Sequence, residues 1–265
     1  MKKAFSCVWL ALILLLIYVP ILIIAVYSFT DAHVVGGGIN AISFENYANL
    51  FKNDELRAMI IGTVLLALGS ALLATVIGTL GAIGAHYSRR VQKSVINGFN
   101  QVPVVNADVV TGFSLCVLLI ILLGISKDTY VPLVIGHVVL CAPFVYLSII
   151  PKLKQLDNNL YEAALDLGAS PAQALFKVVL PQLIPGILSG FMLAVTLSLD
   201  DYFITTYTKP STFDTISTYV VNATRGSQTE VKTALWALST VIFFIVIAFV
   251  VVMNVLARRK EKNKR

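Results

Sequence analysis

The chain has 265 residues, 57% of them hydrophobic and only 13% charged, with a mean hydropathy of +0.84. A soluble domain carries about 25% charged residues, so this chain could not cover its surface in water, and lipid is its solvent. The net charge of +6 does not point to nucleic acid. Arg258, Arg259, Lys260, Lys262, Lys264 and Arg265 crowd one end directly after an apolar run, as at a helix end anchored among anionic headgroups.

In chain order, Lys2 and Lys3 precede an apolar run from Cys7 to Phe29. That run is long enough to span and no small-x-small cleavage site follows it, so it reads as a retained first span rather than a signal peptide. The rule of about 20 apolar residues per crossing gives six spans, at 7–29, 58–86, 96–124, 130–150, 185–206 and 234–257. Asn100, Pro103, Asn106 and Asp108 interrupt the third, Pro132 and Pro143 sit in the fourth, and the fifth ends in acids. The expected fold class is all-α: a polytopic membrane protein of about six transmembrane helices, forming a single domain over 1–265.

Gly78, Gly81 and Gly84 recur every three residues, and Gly186 and Gly190 form a GxxxG, patterns that let helices approach closely in lipid. Cys7, Cys116 and Cys141 lie in or beside apolar runs without CxxC spacing, so they read as small apolar helix residues. With the N-terminus inside, the inner segments hold fourteen of the 20 Lys and Arg residues and the outer segments six. Both termini are therefore expected in the cytoplasm.

Residues 151–184 are not lipid-soluble, and their local grammar is that of two short helices on the inner face. Asp157 is a candidate N-cap, Leu160, Ala164 and Leu167 form a helical stripe, and Gly168 supplies a C-terminal stop. Ser170-Pro171 restarts the chain as N-cap and first helical residue. A second short helix is expected to run to Leu180, where Pro181 breaks it.

Glu162-Ala163-Ala164, three residues, Gly168, nine residues, then Val178-Val179-Leu180-Pro181 resembles the EAA loop of ABC importer permeases, with Val178 in place of the usual Ile. The resemblance implies that Glu162, Ala163, Ala164, Gly168, Val178, Leu180 and Pro181 couple the chain to a separate ATP-binding subunit, present in two copies. It also implies a second permease subunit, an extracytoplasmic binding protein, and a place in a bacterial cytoplasmic (inner) membrane. No phosphate-binding GxxxxGK[ST] loop occurs. ATP and Mg are thus expected to be used by the partner, with no cofactor, metal or catalytic residue on this chain.

Asp108, Asp200 and Asp201 lie within spans, where an ionisable residue is a functional hypothesis by default. No Lys or Arg lies deep in a span, and uncompensated carboxylates along a path favour a cationic solute. Neighbours on a helix point about 100° apart, so Asp200 and Asp201 cannot both face one lumen. One is expected to line the path while the other caps or pairs, with Lys209 a candidate partner. Tyr202, Phe203, Tyr207 and Phe113 offer cation–π faces.

The segment Thr196 to Phe203, with the EAA loop and the span order, resembles the spermidine/putrescine permeases of that family along nearly the whole chain. The resemblance implies that Asp108, Ser198, Asp200 and Asp201 line a polyamine path, and Tyr202 is expected beside them for its cation–π face. Asn46-Tyr47 departs from the tryptophan-bearing outer loop of some relatives. The alternatives are an ABC permease for another small solute or a secondary transporter, which predicts interrupted helices in both halves. His33, His86 and His137 lack HExxH spacing, and His137 reads as a packed, hydrogen-bonded helix residue.

Overall fold

A computed structural model describes residues 2–31, 38, 41–157, 159–225, 235–244 and 247. In order these form α1 (Lys2–Ser28), α2 (Glu45–Lys52), α3 (Asp54–Tyr87), α4 (Arg90–Val105), α5 (Asp108–Cys116), α6 (Val131–Gln155), α7 (Asn159–Asp166), α8 (Pro171–Ala174), α9 (Leu180–Asp200), α10 (Phe203–Thr208) and α11 (Ile216–Arg225). An apolar helix at Leu235–Phe244 follows. Two compact units emerge, Met1–Ala58 with Val220–Arg265, and Met59–Tyr219.

Four helices are long and apolar enough to cross a membrane, or five if α4 and α5 count as one bent span. The chain is a multi-pass, all-helical membrane protein. The expected sixth span, 234–257, lies largely outside the described residues, and Leu235–Phe244 is its described part. His33 and the terminal basic cluster lie outside them as well.

In the first unit, Ser28 closes α1 with a hydrogen bond to the Ala25 carbonyl at 2.7 Å. Its hydroxyl also meets Tyr47 Oη at 2.9 Å and receives a bond from Thr240 Oγ1 at 3.2 Å. Asn46 Nδ2 donates to the carbonyls of Ser28 and Thr30, both at 3.2 Å. Asn46 and Tyr47 thus do the stapling at this helix end. Tyr27 and Trp236 pack edge to face at 6.1 Å.

The second unit is organised on α6, whose Leu133, His137, Leu140, Cys141, Val145, Tyr146, Ile149 and Leu153 are all buried. Small residues let its neighbours close in. On α3 the inward positions are Ala67, Ala71, Ala74 and Ala82, while Leu65, Leu72, Val76 and Leu80 face outward. A side chain at Gly78 would start 2.8 Å from the Ala142 carbonyl oxygen. On α9, Gly190 would place one 3.1 Å from Val145 Cα, and Gly186 2.9 Å from Lys152 Cγ. The expected packing role holds for Gly78, Gly186 and Gly190, but a Cβ on Gly84 would meet nothing within 4 Å. Cys141 donates to the Ala194 carbonyl at 3.3 Å.

Three sequence expectations need correction. The third span is not one helix: α4 and the helical stretch Asp108–Leu122 meet at 105°, broken at Asn106-Ala107. Asn97 and Asn100 hold the first half against α6. Tyr146 Oη donates to Asn97 Oδ1, and Asn100 Nδ2 donates to the Pro143 carbonyl at 3.4 Å.

Pro181 does not end the second coupling helix. A π-helical turn at Leu175–Val179 carries α8 directly into α9, giving one helical stretch from Pro171 to Asp200. The Leu180 N–H bonds to the Leu175 carbonyl, five residues back. The looser turn places Pro181 at the start of a new α-helical run, where its missing N–H costs little. The fifth span, finally, stops at Asp200 and restarts at Phe203 instead of running on to 206.

Replacing Gly190 by Leu should force α9 off α6, overpacking by about 1–3 kcal/mol, and lower the unfolding midpoint of the detergent-solubilised protein by several degrees. Gly84→Leu should leave it unchanged.

Candidate functional site

The segment expected to couple to an ATPase, residues 157–181, forms as its cap residues dictate. Asp157 Oδ1 accepts from the Asn159 N–H at 3.0 Å. At the other end Gly168 adopts φ +86, its N–H bonding to Leu165 O while the Ala169 N–H reaches Ala164 O. This left-handed turn suits glycine. Ser170 Oγ accepts from the Gln173 N–H at 3.3 Å, and the Gln173 side chain accepts from the Ser170 N–H at 3.0 Å, a reciprocal capping box.

Of the stripe Leu160, Ala164 and Leu167, the two leucines are exposed, Leu167 by 89%. The helix is held instead by Tyr161 and Leu175, which pack on the core, and by Tyr161 against Tyr87 at the end of α3, ring centroids 5.3 Å apart. Glu162, Ala163, Asp166 and Gly168 remain exposed and Ala164 half-buried. Further on, Leu180 packs on the core, Val178 is half-buried and Pro181 is exposed.

The three acids are separated by their surroundings. Asp108 is exposed on the first turn of α5, immediately after the bend, where free helix N–H groups favour a carboxylate. Asn106 Nδ2 donates to Thr111 Oγ1 at 3.1 Å and staples that bend. Asp200 is exposed at the C-terminal end of α9, where the helix dipole is itself negative. The two contributions reinforce each other and attract a cation.

Asp201, one residue on, turns inward and is buried. Its carboxylate accepts from the Ile204 N–H at 3.3 Å, the Thr205 N–H at 2.7 Å and Thr205 Oγ1 at 2.7 Å. Asp201 thus caps the restart of the chain at α10, and its charge is balanced by donors, not by Lys209. That lysine pairs with Asp214 at 2.9 Å.

Behind Asp201 lies a buried polar chain that crosses four helices. His137 Nε2 is 3.0 Å from Thr205 Oγ1 and 3.8 Å from Asp201 Oδ2, and Nδ1 is 2.7 Å from Ser198 Oγ. Ser198 Oγ in turn lies 3.1 Å from Ser70 Oγ on α3. A carboxylate only accepts, so the Thr205 hydroxyl donates to Asp201 and accepts from Nε2–H. Ser, His and Asp occur together in hydrolytic triads, but here Ser198 is 2% exposed and His137 fully buried, so no acyl group reaches the hydroxyl.

Of the five expected path residues, Asp108 and Asp200 are exposed, Tyr202 is half-buried beside Phe203 with ring centroids 5.2 Å apart, and Ser198 and Asp201 are interior. Phe113 and Tyr207 pack on each other at 6.0 Å. His137 is hydrogen-bonded in a helix as the sequence implied. Its partners, 61 and 68 residues away, leave no local signal.

Residues 77–265 match the family model described as "Binding-protein-dependent transport system inner membrane component". The chain is 31% identical to the spermidine/putrescine transport system permease protein PotC of Haemophilus influenzae, over 92% of this chain and 93% of that one. It is 32% identical to the putrescine transport system permease protein PotI of Escherichia coli K12, over 97% and 93%. Among solved structures, a bacterial ABC transporter involved in the import of the acidic polysaccharide alginate superposes with a TM-score of 0.72 at 18% identity, covering 97% of this chain and 96% of that one. An alginate transporter in complex with its pentasaccharide-bound periplasmic protein gives 0.70, over 94% and 92%. The fold is therefore that of an ABC transporter membrane subunit, and the chain belongs to the family of binding-protein-dependent transport system inner membrane components.

Proposed function

We propose that this chain is the membrane-spanning permease subunit of an ATP-driven importer of polyamines such as spermidine and putrescine. The observation that carries this reading is the 31% identity to a spermidine/putrescine permease over 92% of the chain. Site chemistry supports it. Asp200 and Asp108 are exposed acids at helix ends, and Asp200 lies where the helix dipole adds to its charge. Tyr202 and Phe203 stand beside Asp200 with aromatic faces for an ammonium group. Asp201 and Ser198 serve the path from behind it.

In this scheme an extracytoplasmic binding protein delivers the polyamine, and a second permease subunit completes the path. Two copies of an ATP-binding subunit consume ATP with Mg, and this chain performs no hydrolysis itself. The exposed turn of Glu162, Ala163, Leu167 and Gly168, with half-buried Ala164, is the docking point for one of them. The carboxylates of Glu162 and Asp166, both exposed and one turn apart, suit a cationic groove. Both termini lie in the cytoplasm, as the distribution of Lys and Arg favours.

The test is uptake by the whole complex. Asp200→Asn should cut spermidine and putrescine uptake at least tenfold, with Asp108→Asn intermediate. Full uptake by both variants would remove the basis for a cationic cargo. Gly168→Val strains a residue held at φ +86 without touching a span. It should abolish uptake while membrane insertion, read by protease protection, stays intact, and normal uptake would exclude docking at this turn.

A further inference from the structure

The helices on either side of the coupling segment are also joined at their far ends, and one side chain makes that junction. α6 runs into the segment at Gln155, and the stretch Pro171–Asp200 runs out of it. His137 lies 18 residues before Gln155, roughly 27 Å along α6 at 1.5 Å per residue. There its ring stands between Ser198, just before the break that ends α9, and Thr205, just after it. The break holds Asp200, Asp201 and Tyr202. Closer to the segment, α6 and α9 are packed backbone to backbone at Gly186 and Gly190. Next to His137, a side chain on Gly136 would begin 2.6 Å from Ile204 Cγ2, so α10 also sits tightly on α6.

We infer that His137 is a positioning residue for transport, tying the break at Asp200–Tyr202 to α6 so that α6, α9 and α10 follow the coupling segment as one body. This rests on the importer reading given above. Two features make His137 suited to the task. Its two ring nitrogens reach the two sides of the break, Nε2 to Thr205 and Nδ1 to Ser198, so one residue holds both sides of an interrupted helix in one geometry. Its burial excludes water that would otherwise compete for those bonds. Removing the ring leaves Ser198 and Thr205 short of a partner in a dry interior, and α10 is then restrained only by Asp201 and by packing. Asp200 keeps its charge but loses its fixed relation to α6.

The experiment compares His137→Leu, His137→Gln and Thr205→Val in the complete complex, with ATP-binding subunits, second permease and binding protein reconstituted into proteoliposomes. Hydrogen–deuterium exchange over residues 199–206 should accelerate at least tenfold in His137→Leu and Thr205→Val, each of which removes two buried side-chain hydrogen bonds at the break. Exchange in the middle of α9 should be unchanged. Maximal uptake should fall about tenfold at an unaltered half-saturating concentration of binding protein, with ATP hydrolysis within twofold of wild type. His137→Gln, which keeps one donor and one acceptor, should recover most of both. Wild-type exchange at 199–206 in His137→Leu overturns the inference, as does a proportional loss of uptake and hydrolysis that Gln does not rescue. Should His137→Leu fail to assemble, Ser198→Ala, which removes a hydroxyl at the ring and leaves the Asp201 cap intact, decides by the same two readouts. A wild-type complex that takes up neither spermidine nor putrescine sinks the cargo assignment alone, because the exchange comparison still decides on His137.

Discussion

Hydrocarbon offers no hydrogen bonds, so every backbone group freed where a helix is interrupted must find a partner inside the protein. The second unit depends on meeting that demand at three irregular places. At Asn106-Ala107 the Ala107 carbonyl takes the N–H groups of Val110 and Thr111, and the Asn106 side chain ties the turn to the Thr111 hydroxyl. Before Pro181 a π-helical turn rearranges the backbone bonds, and Gln182 Nε2 adds a bond to the Val178 carbonyl at 3.0 Å. At Asp201 a carboxylate takes up two backbone N–H groups of the following turn. Each irregularity is bound to polar side chains within a few residues, and two of them expose an acid at a helix end.

The interruption at Asp201 explains why two adjacent aspartates behave differently. In an unbroken helix they would stand about 100° apart and share one electrostatic environment. The break instead gives Asp201 three donors in the interior and leaves Asp200 exposed at the negative end of α9. A buried carboxylate is tolerable only when its hydrogen bonds are supplied, and here neutral groups supply them without a neighbouring Lys or Arg.

Much of this was legible in the sequence, and what was legible is local. Apolar runs located four long spans, although α3 and α6 continue past the ends hydropathy assigns, because helices do not stop where lipid does. Asp157, Gly168 and Ser170 announced the coupling helices through cap chemistry that needs only three or four neighbouring residues. The 105° bend was not legible: asparagines and a proline lower hydropathy alike in a packed helix and a broken one, and the choice depends on α6 offering Tyr146 and Pro143 as partners. The continuation through Pro181 was missed because a π-turn has no composition signature. The His137 chain joins residues on four helices, so no window along the sequence could contain it.

The length of α3 carries a consequence of its own. Its 34 residues extend about 51 Å at 1.5 Å per residue, against a hydrocarbon slab of about 30 Å. About two-fifths of it must therefore stand beyond the acyl chains or be taken up by inclination. The tyrosine at its tip is the one that props the coupling helix through Tyr161. The position of α7 relative to the bilayer is thus tied to the reach of α3, and a change in bilayer thickness that altered the inclination of α3 would be felt at Tyr161.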